Sequence, residues 1–109
     1  MDYTPQRGDI VWLNSNPQVG REQAGRRPAV VLSPGSHNGK VGLLFACPIT
    51  SQVKGYPFEV AVPAGMKIRG GPSVRSDKAF DWRGREIVFA DRLPTSAINE
   101  VLAKISVLL

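Results

Sequence analysis

The sequence predicts a mainly β fold with α: a strongly bent antiparallel sheet, or small open barrel, covered by a C-terminal amphipathic helix. Three observations carry that expectation. Short apolar runs recur through the first two thirds of the chain, each bounded by Gly, Pro, Asn or Ser. The last stretch, "PTSAINEVLAKISVLL", changes to helical spacing. The length of 109 residues suits a single domain, residues 1–109, that buries about 65% of its unfolded surface without staples.

The elements follow in order. "GDIVWL" (Gly8 to Leu13) reads as a first strand, and "NSNP" stops it. A polar, Gly-punctuated loop then runs to Gly25, and Ala29 to Leu32 form an apolar run that reads as a buried second strand. Arg27 precedes Pro28 and is therefore pushed to the extended region, which sets it at the lip of that strand. "PGSHNGK" is rich in turn formers and reads as a loop, with His37 solvated within it. "VGLLFACPITS" (Val41 to Ser51) is a third, mostly buried strand. "KGYP" then turns the chain into "FEVAV" (Phe58 to Val62), which alternates as a half-buried strand does. "PAGMKIRGGP" is irregular, and "SVRSDKAF" and "REIVF" read as further strands. In the final segment Ile98, Val101, Leu102, Ile105, Leu108 and Leu109 form one apolar stripe, and Thr95 or Ser96 can cap the first turn. Such a stripe is a core face.

Composition narrows the function. Fourteen Lys and Arg against nine Asp and Glu give +5, and the isoelectric point is near 9.9. That balance favours a polyanionic or acidic partner. Nine of the fourteen basic residues are arginine, which offers forked donors to phosphate. One cysteine and one histidine cannot assemble the usual zinc ligand sets, so no metal site and no cofactor are expected. Dinucleotide and P-loop signatures are absent, and "GGPS" is too short to stand for one. Cys47 lies mid-strand among apolar neighbours and reads as a buried thiol. "MDYTPQRGDIVWL" has no apolar core of a secretory signal, and no apolar run reaches the ~20 residues that span a bilayer. The default expectation is a soluble, cytoplasmic chain without membrane contact.

The chemistry that remains belongs to arginine, hydroxyl and carboxylate. Cleaving RNA through its own 2′-hydroxyl needs a base, positive charge on the crowded phosphate and a proton for the leaving oxygen. Arg27 can supply the charge through a bidentate grip. Thr50, at the end of the third strand, can donate a hydroxyl to the same phosphate. Glu22 can accept a proton or hold an arginine in place. Singly, each is also an ordinary surface, strand or loop residue.

"GDIVWL", "NPQVGREQAGRRPAVVLSP" and "ACPITSQVKGYPFEV" together closely resemble the MazF/PemK family of toxin endoribonucleases. The shared pattern is a strand, a P-x-x-G-x-E-Q-x-G-x-R-P loop, a V-V-L-S-P strand, a P-x-T-[ST] strand end and a K-G-Y-P-F-E-V turn. It covers most of residues 5 to 62, and the ending "LAKISVLL" is similar too. The resemblance implies an SH3-like barrel that forms a homodimer. It also implies sequence-specific, metal-independent cleavage of single-stranded RNA, leaving a 2′,3′-cyclic phosphate and a 5′-hydroxyl. It further implies a cognate antitoxin, whose acidic tail suits the basic charge. The catalytic pair would be Arg27 of the R-P step and Thr50 of the P-x-T step, with Glu22 the next contributor. RNA-contact candidates are Arg21, Gln23 and Arg26 in the loop, Ser51, Lys54 and Tyr56 around the later turn, and Lys78. Asn16 departs from the aspartate that many relatives carry before the loop proline. Trp82 either stacks on a base or packs. A related fold serves toxins that poison DNA gyrase and catalyse nothing, relying on a tryptophan near the C-terminus. Here the last tryptophan is Trp82 and the chain ends "SVLL". A non-catalytic nucleic-acid-binding barrel is the other alternative.

Overall fold

A computed structural model describes residues 3–14, 26–50, 60–63, 65, 66, 68, 70–72, 78–83 and 87–108. In chain order the elements are β1 (Asp9–Asn14), β2 (Arg26–Val31), α1 (Gly35–Val41), β3 (Leu43–Thr50), β4 (Gly71–Pro72), β5 (Lys78–Asp81), β6 (Ile87–Arg92) and α2 (Thr95–Leu108). The strands form one antiparallel sheet in the order β4-β3-β2-β1-β6, with β5 also pairing with β3. This is the mainly β architecture with a closing helix that the sequence predicts.

The central strands are buried on both faces, which explains their unbroken apolar runs. Ile10, Val30, Leu32, Cys47 and Ile49 point to one side, where Ala97, Ile98 and Val101 of α2 cover them. Val11, Leu13, Ala29, Val31, Leu44 and Ala46 point to the other, packed by Tyr3, Phe80, Trp82 and Ile87. Each fully buried aliphatic side chain is worth about 2 kcal/mol, so the two-sided sheet concentrates the stabilising area in β1 to β3. Leu102 and Ile105 complete the α2 stripe at its half-buried margin. The side chain of Leu108 and all of Leu109 lie outside the described residues.

Four local expectations change. "GSHNGKV" is a helix and not a loop. The reason is Asn38, which is fully buried and makes tertiary bonds that its neighbours cannot. Its Nδ2 donates to the carbonyls of Pro5 (2.9 Å) and Ser33 (3.0 Å), and its Oδ1 accepts from Ser33 Oγ (2.6 Å). Those bonds override weak local propensity, and Gly42 at φ 82° ends the helix in the left-handed conformation. His37 is therefore an exposed helical residue. β3 accordingly starts at Leu43, since Val41 belongs to α1, and Ser51 lies outside the described residues. Of the expected Phe58–Val62 strand, Phe58 and Glu59 lie outside the described residues. Residues 60–62 are in no assigned strand but bond to β4 and the residue before it through Val60 N–H to Pro72 O (3.3 Å) and Val62 N–H to Gly70 O (2.8 Å). Finally, Pro94 and not Thr95 or Ser96 occupies the cap of α2, its carbonyl accepting from Ala97 and Ile98 N–H, both at 3.0 Å.

One polar hub ties the start of the sheet together. Asp9 is buried and accepts from Tyr3 Oη at 2.5 Å, from Gln6 N–H at 3.0 Å and from Arg92 at 2.6 Å. Burial of the phenol, with the Asp9 carboxylate beside it, pushes the Tyr3 hydroxyl well above the ordinary phenol range. The folded chain thus keeps a proton that the unfolded chain releases near pH 10. Stability is therefore fully present below about pH 10 and falls as pH rises above it. Urea titrations across that range should show the decline in the wild type and a shallower one in Tyr3→Phe. Equal slopes in the two proteins would mean that Tyr3 is not the titrating group.

Candidate functional site

The site is built at the end of the sheet opposite this hub, where β1 and β3 finish and β2 begins. In β2, Leu32 N–H donates to Phe45 O at 2.7 Å, so alternate residues Leu32, Val30 and Pro28 aim their backbone groups at β3. Pro28 has no N–H, and the recorded β2–β3 ladder stops at Ala29 opposite Pro48. Continuing the same register by two residues sets Arg27 opposite Thr50. Both lie on the face of the second core, since Arg27 shares parity with Ala29 and Val31, and Thr50 with Pro48 and Ala46. Directly opposed residues in such a pair have Cβ atoms about 5 Å apart. Arg27 is exposed and Thr50 half-buried.

Each partner is held from its far side. Arg27 pairs with Leu13 of β1, which is buried, so its backbone is part of the sheet rather than the loop. Thr50 pairs with Gly71 of β4. At Gly71 a Cβ would lie 3.0 Å from the carbonyl carbon of Val60 and closer still to its oxygen. Glycine is required there because the 60–61 backbone closes over β4, pressing it against the end of β3. Nothing in "IRGGP" announced this, because the demand comes from a chain segment ten residues earlier.

Of the other candidates, Arg26 opens β2 opposite Asn14, and Lys78 opens β5 opposite Ala46. The Lys78 backbone is four residues along β3 from Thr50, roughly 13 Å at strand rise. Glu22, Arg21, Gln23, Ser51, Lys54 and Tyr56 lie outside the described residues. Trp82 packs: its Nε1–H donates to Asn38 O at 2.9 Å, its ring joins the second core, and the Arg83 guanidinium sits 5.3 Å from the ring centroid. Arg83 itself donates to the Gly39 carbonyl. Among the described residues no three His, Cys, Asp or Glu side chains stand together as a metal site would need.

The architecture is a mainly β antiparallel sheet with a C-terminal helix over one face and Arg27 and Thr50 near one end of its central strands. Residues 6–109 match the family described as PemK-like, MazF-like toxin of type II toxin-antitoxin system. The chain is 40% identical over 107 residues to the endoribonuclease toxin MazF of Escherichia coli K12, covering 98% of this chain and 96% of that protein. It is similar to the MazE–MazF crystal structure from Deinococcus radiodurans, with TM-score 0.87, 42% identity and coverage of 98% and 96%. MazF alone from the same organism gives TM-score 0.87 and 47% identity, covering 98% of this chain and 97% of that one. The chain belongs to the PemK-like, MazF-like toxin family. Among the described residues no helix is long and apolar enough to cross a membrane.

The Gly71 contact yields a prediction. Gly71→Ala forces the 60–61 strap off β4 and lowers thermal stability by several degrees, a shift that about 1–3 kcal/mol of overpacking produces. Melting curves check it, and an unchanged midpoint would contradict the close approach.

Proposed function

We propose that this chain is the endoribonuclease toxin of a toxin–antitoxin pair, cleaving single-stranded RNA sequence-specifically and without metal. Membership of the toxin family, and close similarity over nearly the whole chain to a protein named as an endoribonuclease toxin, support the activity. The structural support for the mechanism is the β2–β3 register, which ends at Ala29 opposite Pro48 and, carried on by two residues, brings Arg27 opposite Thr50. A scissile phosphate seated between them receives the forked guanidinium on its non-bridging oxygens and the threonine hydroxyl as a further donor. The ribose 2′-oxygen attacks phosphorus, the bond to the 5′-oxygen breaks, and the products are a 2′,3′-cyclic phosphate and a 5′-hydroxyl. Glu22 either takes the 2′-hydroxyl proton or holds an arginine in place. Loop residues Arg21, Gln23 and Arg26, with Ser51, Lys54, Tyr56 and Lys78, are the proposed contacts to neighbouring nucleotides. Base edges and stacking at such positions set the word that is cut.

The partners follow from the same features. The toxin acts in the cytoplasm as a single domain, paired as a homodimer. Val41, Leu43 and Phe45 run from α1 into β3 with 52%, 43% and 39% exposure, apolar surface that a second copy can cover. A cognate antitoxin with an acidic tail is supported by the +5 charge and by the MazE–MazF complexes among the similar structures. Such a tail folds on binding and competes with RNA for the basic surface.

Two experiments test the reading. Arg27→Ala and Thr50→Ala should each lower kcat by about 10²–10³ while RNA binding survives in part, and Arg27→Lys should not restore the rate because the fork is lost. Gel assays on a mixed-sequence RNA check this; near-normal cutting by Arg27→Ala would assign the chemistry elsewhere. Cleavage should also persist in excess EDTA, since one cysteine and one histidine leave no usual zinc ligand set and the proposed Arg27, Thr50 and Glu22 chemistry needs no metal. Loss in EDTA with recovery on adding magnesium would sink the metal-independent mechanism.

A further inference from the structure

A cleft of about 330 Å³ opens at the hub end of the sheet, away from Arg27 and Thr50. Gln6 and Arg7 before β1, Arg92 at the end of β6, and Thr95 and Asn99 of α2 are among its walls. Two guanidiniums therefore share one cavity. Each is anchored through one nitrogen: Arg7 Nε donates to Leu32 O at 2.6 Å, and Arg92 Nη1 donates to Asp9 at 2.6 Å. A guanidinium carries five N–H donors, so an anchored one keeps a fork to offer.

Arg7 and Arg92 bring two positive charges and Asp9 and Asp91 two negative ones, so donor geometry and not net charge marks the cleft. Both oxygens of Asp9 are engaged, one by Arg92 and the other by Tyr3 and the Gln6 N–H. Asp91 accepts the backbone N–H of Arg92. The first turn of α2 carries no acidic residue, and among the described residues Arg7 has no carboxylate partner. Holding the Leu32 carbonyl needs one donor and no charge. A pre-anchored pair of forks on a cavity meets the needs of an oxyanion, which is bound most tightly by donors that need no ordering.

We propose that this cleft binds a phosphate of the RNA strand outside the cleaved bond, as an exosite that adds affinity without changing bond breaking. It rests on the endoribonuclease reading for its ligand. Arg27 and Leu32 are five residues apart on the β2 path, so the two sites are separated by roughly 17 Å. Small barrels bind about 4–16 nucleotides, and a strand of that length carries phosphates to both places.

Two variants test it. Arg7→Gln removes one fork, and Asn99→Glu sets a negative charge on the cleft from an exposed helical position without touching either anchoring bond. Cleavage kinetics are compared on RNAs of about four and about sixteen nucleotides containing the cut site. Both variants should raise KM about tenfold on the long RNA, with kcat and the short RNA unchanged within about twofold. Binding of a long 2′-deoxy strand should lose about 0.7 from its slope against log salt, the value of one phosphate contact. If Arg7→Gln does not fold, Asn99→Glu alone decides. An unchanged long-RNA KM in Asn99→Glu would overturn the exosite, as would a fall in kcat at constant KM. Inorganic phosphate that stabilises the wild type but not Asn99→Glu, with long-RNA affinity unaltered, would assign the cleft to a free anion and overturn the RNA source. If the wild type cuts nothing, the endoribonuclease reading fails separately. Binding of the 2′-deoxy strand then decides the cleft, with weaker binding by Asn99→Glu supporting it and equal binding overturning it.

Discussion

The pairing of β2 with β3 sets almost everything else in this protein. Val31 against Ala46, Val30 against Cys47 and Ala29 against Pro48 fix a register in which both faces of the central strands are apolar. A slip of one residue would exchange the two cores and turn Arg27 and Thr50 to opposite faces of the sheet. The small side chains Ala29, Ala46 and Cys47 belong to this pairing, alternating with larger neighbours that reach α2 on one side and Trp82 on the other. Burial, not backbone hydrogen bonding alone, therefore enforces the alignment of the candidate site.

The two ends of the sheet are treated differently. At one end Asp9, Asn38 and their partners bind the N-terminal turn, α1, β6 and the β5–β6 connection through buried and part-buried bonds. At the other, the β2–β3 ladder ends at Ala29 opposite Pro48, next to Pro28, which has no N–H to donate. β1 ends there at Asn14 and β2 begins there at Arg26. Gly71 links the two, since its missing side chain allows a strap to brace the strand end that carries Thr50.

Electrostatics runs through the same division. Net charge of +5 is unexceptional as a solubility device. Arg27 occupies the open end, while Arg7 and Arg92 line the cleft at the closed one, each held by a short bond. Asp9 serves both stability and this arrangement, because the carboxylate that satisfies Tyr3 also fixes one of the two guanidiniums. A buried acid of this kind specifies geometry at least as much as it stabilises.

The sequence alone determined the fold class, the closing helix, the central strands and the family resemblance, because each is written in local periodicity or in contiguous motifs. It also singled out Arg27 and Thr50, since the R-P and P-x-T steps are short and specific. Their relative placement was not legible: residues 23 positions apart are related only through strand register, which no local pattern states. The same holds for α1, where turn formers become a helix because Asn38 finds partners at Pro5 and Ser33. Trp82 could be read two ways until its indole N–H was seen on the Asn38 carbonyl. Gly71 and the Arg7–Arg92 cleft left no trace in sequence, for one depends on close backbone approach and the other on elements separated by most of the chain. Periodicity reports which side of an element is buried; only packing decides what stands across from it.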